Sequence, residues 1–184
     1  MFASLTFRRL AVIAFVLACV GTGAKFARAQ ATHPFEAIAS VLQHPRCVNC
    51  HPSDNRPLQG DDHHLHQMMV NRGLDGRGSV GARCYACHQG QNSDLSIVPG
   101  APHWQLAPAS MGWFGLSSRD LCRVLKDPAR NGNRSLADLV EHMDKDPLVR
   151  WGWSPGKGRA PIPIAHAEFI ALLKAWAATG GDCP

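Results

Sequence analysis

Apolar positions gather in short groups along the chain, with long polar stretches between them. The first group, Leu10 to Val20, is an unbroken apolar run behind Arg8 and Arg9, followed by small residues and Ala27-Arg28-Ala29. As a helix it rises only about 16 Å, too short for a bilayer core of about 30 Å. A basic start, a short apolar run and an A-x-A site read as a secretory signal peptide over residues 1–29, with residues 30–184 as one domain. An uncleaved anchor and lipoprotein processing at Cys19 are the alternatives. Further on, Phe35, Ile38 and Leu42 share one helical face. Ser118 is expected to cap a helix through about Lys126, which Asp127-Pro128 ends. Ser135 and Asp138 have capping-box spacing and lead Leu136, Leu139, Val140 and Met143 along one face as far as Pro147. The last helix is expected from about Pro163 to Thr179, with Phe169, Leu172, Leu173 and Trp176 inward and Gly180 closing it. Residues 52–83 and 89–116 keep no period, and no strand run stands out. The expected fold is mostly α, with short helices in a loop-rich frame.

Charge at first adds a different suggestion. A net of +5 and a pI near 9.0 point toward nucleic acid or an anionic membrane surface. Yet four of the 19 basic side chains (Arg8, Arg9, Lys25, Arg28) and none of the 14 acidic ones fall in residues 1–29, leaving 15 against 14, a net of +1. No nucleic-acid partner is expected, and no transmembrane helix after signal cleavage. What remains to be explained is the seven Cys and ten His, in a chain whose long loops need something to pack on.

Cys47-Val48-Asn49-Cys50-His51 and Cys84-Tyr85-Ala86-Cys87-His88 are both C-x-x-C-H, the attachment signature of a c-type haem. Thiols one helical turn apart reach two vinyl groups on one porphyrin edge, and the adjacent His supplies the proximal iron ligand. Three competing readings fit less well. The 33 residues between Cys50 and Cys84 exceed the roughly 15–20 usual for a zinc site. A thioredoxin-like pair is expected near a βαβ pattern, and disulfides would not require a His after each second Cys. Two c-type haems are therefore expected, on Cys47/Cys50 and Cys84/Cys87, with His51 and His88 proximal. Setting aside Cys19 leaves Cys122 and Cys183, a disulfide pair in an oxidising compartment.

The sixth iron ligand separates electron carriage from chemistry at an open iron. His66, in a polar loop before Cys84, and His103, in the rigid Pro99–Trp104 turn, are the first distal candidates. His64, His142 and Met68 come next; His142 lies roughly 110° from the centre of its helix's apolar stripe. Met111 and Met143 are read chiefly as core residues. The five Trp are expected to pack against flat cofactors, Trp104 in particular.

Several stretches carry a family likeness: His44-Pro45-Arg46-Cys47 through His51-Pro52, Arg56 to Asp62, the Pro99–Trp104 turn, Asp127 to Gly132, Val140 to Met143, and Trp151-Gly152-Trp153. Together they resemble small exported proteins labelled isoquinoline 1-oxidoreductase subunit, across nearly all of residues 30–184. The resemblance implies association with a molybdenum-containing hydroxylase. The chain lacks the iron–sulfur cysteines of such an enzyme's small subunit and is too short to be its molybdenum subunit. Accepting electrons from that enzyme is the role left. The expectation is a periplasmic dihaem electron carrier; the alternative is a dihaem enzyme, a peroxidase or small-molecule oxidoreductase, with one open iron.

Overall fold

Residues 33–184 are described in the computed structural model, so the expected signal segment and Cys19 lie outside the described residues. Four helices carry the apolar faces: α1 (Phe35–Leu42), α3 (Ser118–Lys126), α5 (Leu136–Lys145) and α7 (His166–Ala178). Helix α1 packs on α3 and α7, and α5 packs on α7. Their shared core includes Phe35, Leu121 and Leu173, all without exposure, and the Phe35 and Trp176 rings meet at 5.3 Å. The capping box on α5 forms as its spacing implies: the Ser135 hydroxyl accepts from the Asp138 amide and the Asp138 carboxylate accepts from the Ser135 amide.

Three four-residue helices, α2 (Pro45–Val48), α4 (Pro128–Asn131) and α6 (Pro147–Arg150), are built alike. Each starts on a proline, whose fixed φ suits the first helical position. Each is capped by the residue before it: His44 Nδ1 accepts from the Arg46 amide, Asp127 from Ala129, and Asp146 from Leu148. Asp127 therefore ends α3 and starts α4 in one turn of chain.

Two helix starts differ from expectation. Ser117 rather than Ser118 caps α3, accepting from the Asp120 amide at 3.1 Å. Helix α7 begins at His166 rather than near Pro163. The preceding chain is held by the Ile162 amide on Gly152 O at 3.1 Å and by the Trp153 indole on Ile164 O at 2.8 Å. Those tertiary bonds outweigh local helical preference.

The long polar stretches are irregular, apart from two antiparallel ladders of two residues each. Leu58–Gln59 (β1) pairs with His64–Leu65 (β2), and Gly78–Ser79 (β3) with Ala82–Arg83 (β4). The described residues are helix-rich, a mostly α architecture with these short strands as its only exception. Cys122 on α3 and Cys183 beyond α7 are joined by a disulfide, their Cα atoms 5.7 Å apart. No helix among the described residues is long and apolar enough to cross a membrane.

Candidate cofactor sites

The two C-x-x-C-H segments open into two neighbouring cavities. The first, about 270 Å³, is walled by Cys47, Cys50 and His51 on one side and by α5 and Trp153 on the other. The second, about 680 Å³, is walled by Cys84, Cys87 and His88, the β1–β2 loop and the Ile97–Pro99 segment. Arg46, Cys50, Gln105, Leu106 and Trp151 line both.

Each motif histidine is held the same way. His51 Nδ1 lies 2.8 Å from the Met111 carbonyl oxygen, and His88 Nδ1 lies 2.8 Å from that of Pro99. A carbonyl only accepts, so Nδ1 carries the proton and Nε2 keeps its lone pair. Each imidazole is also backed by an indole. The Trp113 ring stacks on His51 at 3.4 Å and 8°, and Trp104 on His88 at 4.5 Å and 7°. The segment that supplies Met111 and Trp113 is pinned to the first motif by main-chain bonds from Ala107 to Cys50 O and from Trp113 to His51 O. At the second motif the Asn92 side chain does the tying: its oxygen accepts from the Gly100 amide at 3.1 Å and from the Trp151 indole at 2.9 Å.

Each cavity holds a second histidine. In the first it is His142, whose Nδ1 faces Asp146 Oδ2 at 3.3 Å while the other carboxylate oxygen caps α6. In the second it is His66, with Nδ1 3.3 Å from Met68 O and its ring 6.1 Å from that of His88. All four histidines turn Nδ1 toward an oxygen, and none has an Nε2 hydrogen bond among the described residues. Burial lowers the pKa of all four, that of His51 to about 3, so each is a neutral donor at neutral pH. Burial also pushes the Cys47 thiol up to about 12 and Cys50 to about 11.

The other sequence candidates sit elsewhere or play other parts. His103 is exposed at a turn with φ of 62° and lines neither cavity. His64 is exposed on β2, its Nδ1 2.5 Å from Asp62. Met68 lines the second cavity, while Met111 and Met143 are buried in the wall of the first. Trp113, expected only as one of five cofactor-packing indoles, stacks on His51 itself, a contact that nothing local in the sequence signals. His142 ranked low because helical periodicity locates the apolar core, whereas this cavity opens at the flank of that stripe.

Among the described residues no three His, Cys, Asp or Glu side chains converge on one point; the donors come in pairs. Comparison with protein-family models, curated proteins and solved structures finds no match for this chain.

Proposed function

We propose that the protein is a periplasmic dihaem c-type cytochrome that carries electrons between a partner dehydrogenase or hydroxylase and a respiratory acceptor. One observation carries the reading. Each cavity is lined by the histidine of a C-x-x-C-H and by a second histidine, and all four turn Nδ1 toward an oxygen. Two imidazoles sharing one metal at about 2 Å each have ring centres about 6 Å apart. The 6.1 Å between His66 and His88 fits that requirement.

When bound, a haem supplies a one-electron iron couple at each site. The chain's own residues do the rest. Cys47 and Cys50, and Cys84 and Cys87, tether the two groups. His51 and His88 serve as proximal ligands, oriented by the Met111 and Pro99 carbonyls and by the Trp113 and Trp104 rings. His142 and His66 would supply the second histidine ligand at each group, which would keep the ligand set the same in both oxidation states. The shared wall places the sites side by side, suited to passing an electron between them. The compartment rests on residues 1–29 and the Cys122–Cys183 pair; a molybdenum-containing hydroxylase as electron donor rests on the resemblance alone.

The greater room at the second cavity favours the alternative, a dihaem enzyme with one open iron. Absorption spectra of the loaded protein separate the two. A carrier shows six-coordinate low-spin iron at both sites and no carbon monoxide binding after reduction. A high-spin ferric band, or a Soret shift on adding carbon monoxide, overturns the carrier.

A further inference from the structure

Arg46 is not used by haem attachment, yet it stands where the two sites meet. It precedes Cys47 on α2, its side chain is 2% exposed, and it lines both cavities. Its Nη2 donates to Gly60 O at 3.1 Å and is paired with Asp61. Its Nε is buried with no partner among the described residues, and the guanidinium lies 5.8 Å from the Trp151 ring centre. Asp61 is 49% exposed, and its second oxygen accepts from the Ala160 amide at 3.2 Å. That bond pins the carboxylate between the β1–β2 loop and the segment before α7.

A buried cation costs several kcal/mol unless it is well paired, and a half-exposed carboxylate on one side is a weak partner. Holding a charge there is a poor route to stability. Its location suggests an electrostatic role, because a charge in a dry wall acts strongly on a neighbouring charge. Gaining one electron lowers the positive charge of either site by one, and a fixed cation nearby favours that change.

We propose that Arg46 is the electrostatic residue common to both sites: its buried charge raises both reduction potentials together, and Asp61 partly offsets it. The inference rests on the dihaem reading. It goes beyond that reading in assigning to one residue, in the wall between the cavities, control over two iron centres.

The test is redox titration of the haem-loaded full chain with an electrode, following each haem spectroscopically. Arg46→Gln lowers both midpoints, each one-electron equilibrium shifting about tenfold, or about 59 mV. Asp61→Asn raises both by less, because Asp61 is half in water. Arg46→Lys keeps the charge and both potentials, and Lys174→Gln on the exposed face of α7 moves neither. Unchanged midpoints in an Arg46→Gln protein that carries two low-spin haems overturn the proposal and leave the dihaem reading standing. Movement of one midpoint alone overturns the shared role. If Arg46→Gln does not load, Asp61→Asn decides: a rise in both midpoints supports the proposal and no change overturns it. A wild-type chain that takes up no haem under conditions permitting covalent attachment overturns both readings.

Discussion

In the proposed dihaem protein, closed coordination depends on His142 and His66. Each turns Nδ1 toward an oxygen, of Asp146 in one case and of Met68 in the other, and neither has an Nε2 hydrogen bond among the described residues. Replacing either with Ala is expected to open one haem and only one. His142→Ala makes the first site high-spin and able to bind carbon monoxide; His66→Ala does the same at the second. His103→Ala leaves both spectra unchanged, since His103 lines neither cavity. Survival of a low-spin first site in His142→Ala, with a new absorption near the red edge, assigns that ligand to Met143 or Met111. His66 was a leading candidate in the sequence because a histidine in a polar loop has no core to join. His103 rested on a different argument, a rigid turn beside Trp104. The direction its turn takes separates the two, and no neighbouring residue encodes that direction.

Local structure was most legible where short-range chemistry closes on itself. The capping box of α5 needs only residues within three positions, whereas Pro128 and Pro147, which read in the sequence as helix ends, each also start a four-residue helix. The start of α7 was less legible because Gly152 and Trp153, far back in the chain, hold its approach. The Pro99-Gly100 turn shows how closely such a segment is fitted. A Cβ on Gly100 would lie 2.2 Å from Gln91 O and 2.5 Å from Gln89 O, both backbone atoms. Gly100→Ala must therefore move backbone on one side of this contact, next to the Pro99 carbonyl that lies 2.8 Å from His88 Nδ1. The expected cost is about 1–3 kcal/mol, as for overpacking elsewhere, read from a urea midpoint. The second haem's midpoint moves with it and the first haem's does not. A variant with wild-type stability and both midpoints unchanged shows that the turn has slack.

The helical core and the first cavity share a wall, since Leu42 on α1, Leu139 and Met143 on α5 and Phe169 on α7 belong to both. Phe35, Leu121 and Leu173 pack the helices together, and the disulfide at Cys122 and Cys183 lines neither cavity. Replacing both of those cysteines with Ser is expected to lower stability by about 4 kcal/mol, given the 61-residue separation. Both haem potentials should stay where they were. A loss of haem ligation in that variant would show that the core and the sites are coupled more tightly than their packing implies. The C-x-x-C-H segments and the bodies of α1, α3, α5 and α7 were legible without tertiary knowledge, because that motif, caps and 3.6-residue periodicity are set by neighbours along the chain. Folding alone decided which of the candidate histidines line the cavities (His66 and His142, not His103 or His64), that Trp113 stacks on His51, and that Arg46 lines both cavities. His51 stacks on Trp113 across 62 positions of sequence and shares a cavity with His142 across 91, and proximity at that range depends on how the helices and loops pack.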